Sequence, residues 1–298
     1  MSFDAFRAPG QFRRANLHTH STLSDGALAP EAVCAAYADR GYEVLCLSDH
    51  FTERFGFPVA DTRAFRSEGF TTIFGAELHA PANSQGEVWH ILACGLPLDF
   101  APNRPGEDGV ALARRAREAG AFVAIAHPQW SSLTIEDGRA LAGIAHAVEI
   151  YNTGCDLECA RPDGFQLLDA LWNEGHPLTA YAADDAHFRI PDGFGGWTMV
   201  KAETNEPEAI LAALKAGLSY STMGPTLHDV AIEGDAVTVR CSPARNVALV
   251  GRGSRSENVF GDGLTEARLP LARFAGDWAR VVVSDAAGRH AWSQPQRF

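Results

Sequence analysis

Lysine is almost missing from this chain: Lys201 and Lys215 are the only two among 298 residues. Basic residues total 25 against 37 acidic ones, a formal net charge of −12. That balance weighs against a stable complex with nucleic acid, whose backbone selects basic surfaces. No apolar run of about 18 residues occurs, so no membrane-spanning helix is expected. Residues 1–7 lack the apolar core of a signal peptide. The six cysteines (Cys34, Cys46, Cys94, Cys155, Cys159 and Cys241) form no CxxC pair and no regular framework. A reducing, cytoplasmic setting is therefore expected. There is no internal repeat and no low-complexity segment. What remains is an ordinary globular composition, 46% hydrophobic and 21% charged, in a chain long enough for one barrel-sized unit and a small appendage.

Against these absences stands a surplus of metal-type side chains where strand-like runs end: His18, His20, Asp25, His50, Glu77, His90, His127, Asp185 and His187. Residues i and i+2 of a strand share a face. That spacing sets His18 beside His20 and Asp185 beside His187. Imidazole nitrogens and carboxylate oxygens suit Zn, Mn or Fe. Nine such groups exceed one ion's needs and match two or three divalent ions sharing a bridging carboxylate.

The order of elements predicts an α/β fold. Strands are expected at 15–21, 44–49, 71–77, 91–96, 122–127, 147–152, 178–183 and 197–201. Helical patterns at 29–41, 108–120, 163–175 and 206–217 each stop at a glycine. Strand–helix repetition reads as a parallel sheet with crossover helices, closed into a barrel whose ligands sit at the strands' C-terminal ends. After Gly224-Pro225 the helical period disappears, and short alternating runs at 228–233, 236–241, 246–250, 267–271 and 279–284 predict a small all-β domain. The expected division is residues 1–224 and 225–298.

The ordered series His18-Thr19-His20-Ser21, Ser24-Asp25-Gly26, Leu47-Ser48-Asp49-His50, Gly75-Ala76-Glu77, Ala126-His127-Pro128 and Asp185-Ala186-His187 resembles the PHP (polymerase and histidinol phosphatase) superfamily. The resemblance covers about residues 15–222. Val148-Glu149-Ile150-Tyr151-Asn152, Gly196-Trp197-Thr198 and Ser219-Tyr220-Ser221-Thr222-Met223-Gly224-Pro225 are similar to its carbaryl-hydrolase-like (CehA/McbA) branch. The resemblance implies a distorted (β/α)7 TIM-like barrel with a trinuclear centre. His18, His20, Glu77 and Asp185 would hold the first ion. Glu77 would bridge to a second, bound by His90 and His127. Asp25, His50 and His187 would hold the third, with Asp25 standing where some relatives have histidine.

Such a centre supplies hydroxide near neutral pH and stabilises developing negative charge. The expected activity is hydrolysis of a small-molecule phosphate ester, with catalytic roles for Glu77, Asp185 and His187. A carboxylester or carbamate hydrolase on the same centre is the alternative, and a catalytically inactive module is a third reading that the complete ligand set opposes. Arg54, Arg189, His79 and Asn152 are the expected substrate contacts. Arginine can grip phosphate through two parallel hydrogen bonds. Trp130 and Trp197 are candidates to line the mouth, and Asp184 to orient a ligand imidazole.

Overall fold

The computed structural model describes residues 3–298. Helix α1 (Asp4–Arg7) leads into strand β1 (Gln11–Asn16), followed by α2 (Pro30–Asp39), β2 (Val44–Leu47), the short β3 (His50–Phe51), β4 (Thr71–Ala80), β5 (Trp89–Cys94) and α3 (Gly109–Glu118). Then come β6 (Phe122–Ile125), α4 (Ile135–Leu141), β7 (Ala147–Asn152), α5 (Thr153–Cys159), α6 (Phe165–Asn173), β8 (Thr179–Ala183), β9 (Trp197–Ala202), α7 (Pro207–Lys215) and β10 (Ser219–Thr222). The remainder is mostly strand: β11 (Leu227–Glu233), β12 (Ala236–Gly251), β13 (Ser256–Pro270), β14 (Trp278–Ser284), β15 (His290–Ser293) and β16 (Gln296–Arg297).

Local sequence explains the helix limits. Proline opens α2 and α7, where its missing N–H costs nothing. Asp108 caps α3 through Ala111 N, and Thr134 with Asp137 forms a capping box on α4. Gly41, Gly120, Gly175 and Gly217 follow α2, α3, α6 and α7 with φ between +70° and +95°, a backbone that side chains resist.

The result is a mixed α/β molecule on one large sheet, ordered β11-β12-β14-β15-β10-β9-β1-β2-β4-β5-β6-β7-β8. The pairs β1–β2, β2–β4, β6–β7 and β7–β8 are parallel. The expectation of an all-parallel strand set is corrected at two places. β5 runs antiparallel to both β4 and β6, and β9 runs antiparallel to β1 and β10. The reason at β4–β5 is length: only residues 81–88 join them, too few for a crossover, which takes a dozen or more. The sheet curls until Thr19, just past β1, bridges Ala186, just past β8.

The C-terminal strands build a second core cluster, with Val230, Val237, Val239, Val247, Leu249, Phe274, Val281 and Val283 fully buried and Phe3 and Tyr220 packed into it. The two strands expected at 236–241 and 246–250 are one, β12, bent by bulges on either side of Ala244. β15 pairs with β10, so the C-terminal strands continue the same sheet. Trp278 reaches across to α6, where its Nε1 donates to Asn173 Oδ1 at 3.0 Å. Arg280 pairs with Asp169 and lies over the Phe165 ring. No helix among the described residues is long and apolar enough to cross a membrane.

Candidate metal centre

The residues after β1 leave the strand but stay extended and pinned on both sides. Ser48 N donates to Thr19 O, and His20 N donates to Ala186 O. This puts His18 and His20, both fully buried, side by side as the i, i+2 spacing requires. Their Nε2 atoms lie 3.3 and 2.9 Å from Asp185 Oδ1, and each 3.7 Å from Glu77 Oε2. Glu77 lies within β4, aligned with His50 of β3. Glu77 Oε1 lies 2.7 Å from His90 Nδ1 and 3.0 Å from His127 Nε2. Asp25 Oδ1 faces His50 Nε2 and His187 Nε2, both at 3.3 Å. All nine expected ligands therefore converge on one centre.

Two details depart from the sequence reading. His90 belongs to the start of β5, not to a C-terminal strand end; because β5 is reversed, its beginning reaches the same mouth. Asp185 is not in a strand: it adopts φ +54°, and His127 adopts φ +22°. Backbone held in such sparsely populated conformations is a recurrent cost at functional sites.

Four imidazoles crowd Glu77 Oε2, those of His18, His20, His50 and His79, yet this buried oxygen accepts no hydrogen bond. His18 Nε2 and Asp25 Oδ1 are likewise buried without a hydrogen-bond partner. Buried polar atoms ordinarily find partners. Lone pairs of this kind, gathered at hydrogen-bonding distances without hydrogen bonds, fit divalent cations. Electrostatics agree. Burial raises the Glu77 carboxyl, but the charges of His90, His50 and His79 outweigh it and hold the group well below the usual range. Burial lowers His50, yet Glu77 and Asp25 carry it up to about 10. Burial, helped by His50, takes His20 down to about 3.

Asp25, His50, Glu77, His90, His127, Asp185 and His187 floor an open cavity of about 460 Å³, with His18, His20 and His79 set beneath it. Arg54 and Arg189 stand on its wall, and Arg189 Nε also donates to Asp25 O. Trp130 is on the wall too, edge-on to His127 and His90. Trp197 is not: it packs on Tyr42 and under Arg14. Asn152 is off the wall as well. It is fully buried, donates to Glu149 and Asp185, and caps α5 through Cys155 N. Its place is beneath the ligands rather than against substrate. His79, expected at the substrate, lies among the ligands, its Nε2 hydrogen-bonded to His50 Nδ1 at 2.8 Å. Asp184 orients no imidazole; it accepts from Tyr37, Thr153 and the backbone of Phe194, Gly195 and Gly196, which fixes the loop after β8. Cys155 and Glu158 line the cavity and were not anticipated. All six cysteines are free thiols.

Glu149 is the main residue that the sequence reading missed. It is fully buried, 3.1 Å from His18 Nδ1, and accepts from His127 N at 2.7 Å. Carboxylates that hold a ligand imidazole in this way typically tune metal affinity. Glu149→Ala is expected to weaken metal binding by about 10- to 100-fold, measured by competition with a chromogenic chelator. Unchanged affinity would remove this role.

Residues 16–160 match the PHP domain. The PHP match takes in all the candidate ligands except Asp185 and His187, which the curl of the sheet returns to the same centre. Most of the chain shares the fold of a two-domain protein from Bacteroides vulgatus containing a predicted PHP-like metal-dependent phosphoesterase (16% identity, 93% of each chain covered, TM-score 0.56). Weaker matches are an amidohydrolase from Chromobacterium violaceum (16%, 60% of this chain and 89% of the other, TM-score 0.45) and PsfC from Pseudomonas syringae (17%, 64% and 83%, TM-score 0.44). No functionally curated protein matches the chain.

Proposed function

We infer that the protein is a metal-dependent hydrolase of a small-molecule phosphate ester, working at two or three divalent ions (Zn, Mn or Fe). The observation that carries this reading is Glu77 Oε2, ringed by imidazoles and hydrogen-bonded to none. His18, His20, Glu77 and Asp185 would hold one ion, Glu77 with His90 and His127 a second, and Asp25, His50 and His187 a third. When bound, such ions polarise the ester oxygen and bring the pKa of water toward neutrality.

The chain's own residues do the rest. Glu77 and Asp185 supply buried negative charge, and His187 is the most exposed of the candidate imidazoles, at the rim where substrate enters. Arg54 and Arg189 bring positive charge to the cavity wall for the phosphate. Trp130, 39% exposed, offers an apolar face to the rest of the substrate. Residues 1–224 are assigned as the hydrolase domain, a distorted (β/α)7 barrel, and residues 225–298 as a small all-β domain. The second core cluster, built mostly from the C-terminal strands, and the likeness over 93% of the chain to a two-domain protein support that division. A cytoplasmic location suits six free thiols.

A leaving-group panel tests the reading: p-nitrophenyl phosphate, bis-p-nitrophenyl phosphate and a p-nitrophenyl carboxylic or carbamic ester, with a His18→Ala, Asp185→Ala double variant as blank. Turnover of a phosphate that disappears in the blank and on chelation is expected. Turnover of the carbonyl ester alone would replace the phosphoesterase reading, and full activity after chelation would end the metal-dependent one.

A further inference from the structure

Three of the candidate ligand imidazoles share a plan: one ring nitrogen faces the centre and the other is tied to a fixed partner. His18 Nδ1 meets Glu149, His127 Nδ1 meets Ser131 Oγ at 2.9 Å, and His187 Nδ1 meets the Asp185 carbonyl at 2.9 Å. His50 follows the same plan with an unusual partner. Its Nε2 faces Asp25, while its Nδ1 is hydrogen-bonded to His79 Nε2 at 2.8 Å. Glu77 Oε2 lies nearer to Nδ1, at 2.7 Å, but without hydrogen-bond geometry.

We propose that His79 is a positioning residue that fixes the tautomer and orientation of His50, so that His50 Nε2 is committed to the cation site it shares with Asp25 and His187. This rests on the metal-centre reading given above. In this assignment His50 Nδ1–H would donate and His79 Nε2 would accept. With an ion bound, the arrangement would leave the Nε2 lone pair of His50 facing the site it shares with Asp25. It also spares Glu77 Oε2, which would otherwise be used up as the acceptor of that proton.

The backbone holds His79 for this task. It is two residues beyond Glu77 on β4, so both side chains leave the same face of the strand. It pairs across the sheet with His90, whose ring packs edge-on against it, and its carbonyl accepts from Asn103 Nδ2 at 2.7 Å. A ligand role for His79 beside Glu77 would instead draw on His50 Nδ1, the nitrogen already bonded to His79.

The test is a Co(II) titration of the chelator-stripped full-length protein, followed by visible absorption and by ions bound per chain. His79→Ala is expected to weaken by about 10- to 100-fold the binding step that Asp25→Ala abolishes, leaving the other steps within about twofold. His79→Gln, whose side-chain carbonyl can accept the same proton, is expected to restore most of that step. In an Asp25→Ala background, His79→Ala should change nothing further. The role is overturned if His79→Ala leaves every step unchanged, or weakens a step that survives Asp25→Ala. Wild-type protein that binds no Co(II) would overturn the metal centre itself, a failure distinct from that of His79 alone. Circular dichroism of the stripped variants separates lost binding from lost folding.

Discussion

Glu77→Gln is expected to lower phosphate-ester turnover by roughly 10³-fold or more, the scale seen when a preorganised charge-stabilising element is removed. The substitution preserves shape and removes charge. Glu77 is completely buried, with His90 and His127 on one carboxylate oxygen and four imidazoles around the other. Its charge is the main force raising His50, and under the proposed function it would be shared between two ions. A neutral amide leaves those imidazoles without their counter-charge and points an N–H group at ligand lone pairs. Metal content should fall together with turnover. The loss should lie in kcat rather than KM, because the groups on the cavity wall are untouched. A variant that keeps its metal and turns over within about threefold of wild type, far less than the loss of such an element costs, would show that Glu77 is not the bridge.

The second large effect is expected far from the cavity. Trp278→Ala should cost about 3–5 kcal/mol, the usual range for emptying a fully buried aromatic site. Trp278 belongs to β14, yet its ring lies in the core of the larger unit, 6.0 Å from the ring of Trp172 on α6. Its indole N–H is satisfied by Asn173. Beside it Arg280, nearly buried, pairs with Asp169 and covers Phe165. Urea unfolding followed by circular dichroism measures the loss. Because the ring ties the C-terminal strands to α6, the transitions of both parts should move together. A C-terminal transition that shifts alone would mean the tie is weak. Trp278→Phe should recover most of the packing and lose the hydrogen bond, worth about 1 kcal/mol net.

The convergence of the nine candidate side chains was largely legible because its signal is local. His18 and His20 are two apart just past β1, and His50, His127 and Asp185 follow the apolar runs of β2, β6 and β8. Helix ends were legible for the same reason, since Gly41, Gly120, Gly175 and Gly217 each supply a positive φ. Strand direction was less so: apolar alternation in 91–96 is the same whichever way the strand runs. The clue was the connection, because residues 81–88 cannot carry a crossover. Glu149 escaped because a single glutamate in Ala147–Asn152 resembles any solvated strand position until the fold covers both of its faces. Asn152 was assigned to substrate for its place at a strand end. The Thr153-Gly154-Cys155 that follows makes it a helix cap, and once it serves there its amide nitrogen is directed at Glu149 and Asp185. His79 shares a face with Glu77 by simple alternation, but only the fold shows that His50 arrives beside it.

The pairing of β15 with β10 reaches beyond architecture. Tyr220, Ser221 and Thr222 spend one side of their strand on β9 and the other on Ser293, Trp292 and Ala291. A chain cut after Gly224 would keep every candidate ligand but leave that second side as a bare row of N–H and C=O groups, the kind of edge that recruits other strands. The last seventy-odd residues thus act as a permanent built-in plug. A chain made without them is expected to be held back by self-association well before any shortage of chemistry.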